Sequence, residues 1–319
     1  MWRWTKRALI GLAAVVAVAA VAGATYQWVA TRRDLAAHPP PGRLVDVGGH
    51  RLHIWCTGSG SPAVILESGL GGSSAGWGFV QPEVATFTRV CSYDRAGLGY
   101  SDPGPAPRTT DRIVRELARL LDGTGVGGPL VLVGASIGGF TVRVFASQYT
   151  ERVAGLVLVD ASHEDQGVEV PAVAPFVPLL SSIGAFRLLG VSFGLPPESL
   201  APSVRAAARA TAFRATAYQA TANEGMHLAE SAAQVRASRR KLAIPVVVVT
   251  AGRDADPAWR SLQRDQVGLS ERGCQVIAEQ SGHAVALGQP QLVVDVIRAV
   301  VDTARGRAEG SPCGAAASP

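Results

Sequence analysis

Short runs of Val, Ile and Leu, each set off by glycine, recur through the first half of the chain: Leu44 to Val47, Arg51 to Cys56, Ala63 to Glu67, Arg89 to Tyr93, Leu130 to Val133 and Leu156 to Val159. They predict strands, and the runs with no polar interruption predict strands buried on both faces. Between them, Thr110 to Leu121 places Ile113, Leu117, Leu120 and Leu121 at helical spacing and stops at Gly123 and Gly125. The alternation lapses from Glu164 to Lys241, where Pro171, Pro175 and Pro178 precede the Ala/Arg-rich stretch Ser203 to Ser238. It resumes with strands at Val246 to Thr250 and Gln275 to Ala278 and a helix over Pro290 to Ala304. The pattern predicts an α/β fold, a mostly parallel central sheet with helices on both faces. Its core is expected in residues 44–163 and 242–304, with 164–241 inserted as a helical cap and 305–319 as a disordered tail.

The segment 1–43 reads differently. Ala8 to Ala30 is uncharged and would form a helix of about 34 Å, enough to cross a bilayer core. Arg3, Lys6 and Arg7 precede it, which predicts a cytoplasmic stub and an extracytoplasmic remainder. Trp2, Trp4, Tyr26 and Trp28 stand near its ends as interfacial residues do, and Pro39 to Pro41 make a stiff spacer beyond it. A cleaved signal peptide is the alternative, because Ala20-Val21-Ala22 and Ala22-Gly23-Ala24 resemble cleavage sites. Both readings export the remainder of the chain.

Composition narrows the partners. With 47% apolar and 17% charged residues in 319, the chain can bury a large core and does not read as disordered. The formal charge of +5 comes from scattered Arg residues, with Arg239-Arg240-Lys241 the only basic triplet, so no nucleic-acid partner is expected. Cys56, Cys91, Cys274 and Cys313 lack metal-ligand spacing; Cys56 and Cys91 lie in apolar runs that could be neighbouring strands and are either a disulfide or two buried thiols.

Candidate chemistry centres on Gly134-Ala135-Ser136-Ile137-Gly138. A serine between small residues, after a strand and before a helix, is a nucleophile elbow: the tight turn lifts the hydroxyl above the sheet and onto a helix N-terminus. The base expected from chain order is His283, in Ser281-Gly282-His283 after the last strand. The acid is assigned to Asp256, with Asp160 and Asp254 as alternatives, since all three follow strand ends. An oxyanion would be held by the backbone N–H of Ile137 and, from the loop Ser68-Gly69-Leu70-Gly71-Gly72, that of Leu70. A rival reading takes Gly69-Leu70-Gly71, with Asp94 ending the next strand, as part of a dinucleotide-binding fingerprint, although Ser74 replaces its third glycine.

Leu66-Glu67-Ser68-Gly69-Leu70-Gly71, Val90 to Gly97 and Val159 to Gln166, in that order around the elbow, resemble the α/β-hydrolase superfamily, in particular a bacterial membrane-anchored branch. The resemblance spans Leu44 to Ala304, and departs where Ser68 and Ala135 stand in place of the histidines of many members. It implies cofactor-free, metal-free hydrolysis of a small ester or related carbonyl compound through an acyl-enzyme. A non-catalytic binding protein on the same scaffold is the alternative of a different class.

Overall fold

The computed structural model describes residues 2–167, 169–192, 198–253, 256–307 and 311–316. Eight strands, β1 (Arg43–Asp46), β2 (Arg51–Thr57), β3 (Ala63–Glu67), β4 (Val90–Tyr93), β5 (Leu130–Ala135), β6 (Val153–Val159), β7 (Val246–Ala251) and β8 (Gly273–Ala278), form one sheet in the order β1-β2-β4-β3-β5-β6-β7-β8. The pairs β1–β2 and β2–β4 are antiparallel and all the others parallel. The hairpin between β1 and β2 turns on Gly48 and Gly49, both at positive φ, with the Gly48 N–H donating to Asp46 Oδ1 at 2.6 Å.

Besides single helical turns at Gln81–Val84 and Val285–Gly288, the helices among the described residues are α1 (Trp2–Ala37), α2 (Thr110–Thr124), α3 (Gly138–Gln148), α4 (Val177–Ser182), α5 (Ala185–Leu188), α6 (Pro202–Ala212), α7 (Ala215–Met226), α8 (Leu228–Ser238), α9 (Pro257–Val267), α10 (Pro290–Ala304) and α11 (Pro312–Ala316). Between β6 and β7 the described residues hold helices α4 to α8 and no strand.

The sheet divides the core by its two-residue period. Ile65, Leu130, Leu132 and Leu156 face one apolar cluster with α2 and α3, while Val64, Leu66, Val131, Val133 and Val247 face the other. On that second face Val293, Val296, Ile297, Val300 and Val301 of α10 are buried, each worth roughly 1.5–3 kcal/mol of transfer free energy.

Two disulfides reinforce the sheet. Cys56–Cys91 joins residues directly opposite in β2 and β4, and Cys274–Cys313 joins β8 to α11. The second corrects the expectation of a disordered tail: residues 312–316 are helical, pinned through Cys313, which packs against the α10 face of the core.

Candidate active site

Ser136 follows β5 at the turn into α3, with φ at +50°, a region that side-chain-bearing residues rarely enter. Bonds to the end of β6 hold it there: the Ser136 N–H donates to the Val159 carbonyl at 3.2 Å, and the Ser136 carbonyl accepts from the Ser162 N–H at 2.8 Å. Gly138 is required by close approach, since a Cβ there would lie 2.7 Å from the Glu67 carbonyl oxygen.

The loop after β8 brings His283 onto this serine, with Nε2 3.0 Å from Ser136 Oγ. Its Nδ1 lies 2.6 Å from Oδ2 of Asp160. Asp160 ends β6, also at positive φ (+41°), and is only 2% exposed. Its other oxygen, Oδ1, accepts from the Ala251 N–H and the Trp259 Nε1–H, both at 3.0 Å. Three donors fix this buried carboxylate. With Asp160 ionised, the shared proton belongs on Nδ1, so Nε2 is free to accept one from the serine.

The carboxylate on His283 is therefore Asp160 and not Asp256. Asp256 caps α9, its Oδ1 accepting from the Trp259 N–H at 2.7 Å, so the helix end that Pro257 opens occupies it. Asp254 lies outside the described residues.

The 68–72 loop lies directly against the serine: a Cβ on Gly69 would fall 3.0 Å from Ser136 Cβ. Among the described residues neither the Leu70 nor the Ile137 N–H donates to another protein group. Arg95 sets the loop's orientation. Its guanidinium donates to the Ser68 carbonyl at 2.6 Å and to the Gly69 carbonyl at 2.8 Å. Because a trans peptide points its C=O and N–H in opposite directions, clamping the Gly69 carbonyl aims the Leu70 N–H away from Arg95. The same guanidinium is paired with Glu67 and, at 2.8 Å, with both oxygens of Glu224 on α7. Burial pushes the Glu67 carboxyl up to about 7, against the pull of Arg95 in the other direction.

Four of the other five histidines take up structural contacts. His53 bonds buried Asp94, His50 lies 3.3 Å from Glu116, His227 bonds the Asn223 carbonyl, and His163 bonds Asp265 at 2.8 Å. The dinucleotide reading fails on geometry. Asp94 is fully buried and accepts from His53 and from the Ser74 and Tyr100 N–H groups, while the glycines lead into a short 3-10 turn at Ser74–Trp77 instead of a long helix. A cavity of about 380 Å³ opens beside Asp160, Trp259 and His283. A larger one, about 480 Å³, lies between the proline spacer and α6 and touches neither Ser136 nor His283.

Sequence reasoning missed Arg95, Glu224 and Trp259. Only Arg95 carried a signal, as a cation two residues past a buried strand.

Residues 62–182 match the family model described as alpha/beta hydrolase fold. This is the α/β-hydrolase fold. Solved structures agree: a putative lipase from Acinetobacter baumannii superposes with a TM-score of 0.65 at 20% identity, covering 88% of this chain and 97% of that one. A thermophilic esterase from Thermogutta terrifontis gives 0.63 at 22% identity, covering 83% and 99%. Among curated relatives, a 2-hydroxy-6-oxononadienedioate/2-hydroxy-6-oxononatrienedioate hydrolase from Burkholderia vietnamiensis is 34% identical over 42% of this chain and 48% of its own length. Several other curated relatives are matched over 18% to 61% of their length. The family model thus matches 62–182 of this chain, and the solved structures share its fold.

Proposed function

We propose that the chain is a serine hydrolase that cleaves a carboxylic ester or related carbonyl compound through an acyl-enzyme. The observation that carries this reading is the continuous relay from Ser136 Oγ through His283 to Asp160, beside two backbone N–H groups that have no protein partner among the described residues. In the proposed reaction Ser136 Oγ attacks the carbonyl carbon while its proton passes to His283 Nε2. Asp160 holds the imidazole in place and balances the charge it gains. The Leu70 and Ile137 N–H groups take the oxyanion; collapse of the intermediate expels the alcohol, which leaves with the proton from His283. Water then repeats the sequence and releases the acid.

The lipase and esterase neighbours are consistent with this chemistry through their fold alone. The anchor reading of α1 belongs to the proposal, with the catalytic domain outside the cytoplasmic membrane. The test is labelling of the full chain by a fluorophosphonate, together with turnover of p-nitrophenyl esters of graded chain length. Labelling and turnover in the wild type, both lost in Ser136→Ala by roughly 10⁴- to 10⁶-fold, are expected. A chain that neither labels nor turns over any ester is a binding protein on this scaffold.

A further inference from the structure

Helix α1 divides sharply along its length. From Trp2 to Ala19 every residue is exposed, although this part contains Leu9, Ile10, Leu12, Val15, Val16 and Val18. Beyond it one stripe, Gly23, Gln27, Thr31 and Asp34, is docked on the segment between β6 and β7. The Ile183 carbonyl occupies the space a Cβ on Gly23 would need. Gln27, 5% exposed, donates to the Phe213 carbonyl at 2.7 Å, and Arg187 reaches Gln27 at 3.0 Å and Asp34 at 2.6 Å. Fixed polar bonds of this kind are what a permanent helix would have, and a cleaved leader would not.

The docking has a depth. Arg3, Lys6 and Arg7 hold one end of α1 at a polar surface, and a hydrocarbon core of about 30 Å at 1.5 Å per residue ends about 20 residues past Arg7, near Gln27. Exposed Tyr26 and Trp28, with Arg32 stacked 4.2 Å from the Trp28 ring centre, mark the same level. Ile183 and Arg187 touch α1 at that boundary. The segment 176–189 that carries them exposes Phe176 (61%), Leu179 (62%), Leu188 (66%) and Leu189 (75%). Four large apolar side chains exposed on the one segment that also docks on an apolar helix exceed the isolated exposure usual on a water-facing surface.

From this we infer that the α4–α5 face of the cap rests in the outer boundary of the same bilayer that α1 crosses, so that the hydrolase takes amphiphilic, long-chain esters from the lipid phase. The inference rests on the anchor reading of α1 and deepens the proposed activity by naming a substrate class.

Depth-resolved quenching tests it on the full chain in phosphatidylcholine vesicles. All four native cysteines are in disulfides, so a fluorophore on Leu179→Cys, Leu188→Cys, Val15→Cys or Asp122→Cys reports one position. With quencher lipids labelled near the top of the acyl chain, emission at 179 and 188 is expected to fall by at least half, and emission at 122, on the core, to be unchanged. Val15, quenched by labels deep in the acyl chain, reports the anchor separately. Quenching at 15 but not at 179 and 188, or equal quenching at 122, overturns the cap inference and leaves the anchor standing. No quenching at 15 removes the anchor and the inference with it. In the activity arm, Leu188→Glu with Leu189→Glu is expected to lower turnover of a vesicle-borne long-chain ester at least 10-fold while p-nitrophenyl acetate turnover stays within twofold. Equal losses on both substrates overturn the inference.

Discussion

The ends of β6 and β7 each lead into a carboxylate near the imidazole, and the two carboxylates have different occupations. Asp160 is buried and bonded by His283, Ala251 and Trp259, whereas Asp256 spends its oxygen on the first turn of α9. A charge that must steady a transient imidazolium works best where its position is already fixed by other donors and water does not screen it. The contrast shows that surroundings assembled from distant strands, more than proximity to a strand end, select the group that acts on the histidine.

The largest expected effect tests that contrast directly. Asp160→Asn should lower kcat/KM by roughly 10³- to 10⁴-fold, because an amide facing Nδ1 favours the wrong tautomer. Asp256→Asn in the same assay should stay within about threefold; the reverse ranking would hand the role back to Asp256. The distinction between groups that place reacting atoms and groups that hold the fold extends to the buried arginines. Arg95→Lys keeps the charge but replaces a planar fork, which now serves two carbonyls and two carboxylates, by a point donor. A loss of roughly 10- to 100-fold, mostly in kcat, is expected from steady-state kinetics, since the Leu70 N–H loses its aim. A change confined to KM would show that Arg95 only shapes the pocket.

Smaller effects sharpen the comparison. Trp259→Phe removes one donor from Asp160 while keeping the ring, and about a 10-fold drop in kcat is expected. Asp256→Ala should cost about 1 kcal/mol of stability in urea unfolding through the lost cap and leave turnover nearly intact. Last is Glu164, a carboxylate paired with Arg143 and Arg239 away from the serine. Burial works to raise its pKa, but the Arg143 and Arg239 contacts overcome this and hold it down at about 2. Since the folded value lies below the ordinary 4.5, the stabilisation is present above about pH 4.5 and is lost as pH falls toward about 2. A thermal melting series should show Glu164→Gln less stable at neutral pH, with the gap to wild type closing on acidification.

How far the sequence could be read follows from the range of each interaction. All eight strands were legible because burial on a sheet imposes a local pattern, and Ser136 was legible because its elbow needs small neighbours within two residues. His283 followed from chain order. The acid was not legible: three carboxylates follow strand ends, and what singles out Asp160 comes from Ala251 and Trp259, 91 and 99 residues away. The bond from Arg95 to Glu224 spans 129 residues and joins the loop after β4 to α7, which no periodicity records. Nor did anything near Cys313 announce Cys274 as its partner.

That last bond has a topological consequence for His283. His283 and all of α10 lie within the covalent ring that Cys274 and Cys313 close across 39 positions. In a reduced chain no covalent bond returns this stretch to the sheet, and it can peel away and carry the imidazole off with it. Once the ring is closed, both of its ends stay at β8, and closure removes roughly 4 kcal/mol worth of freedom from the unfolded chain. Oxidising surroundings thus keep His283 tethered beside Ser136 through fluctuations that would open an unbridged stretch.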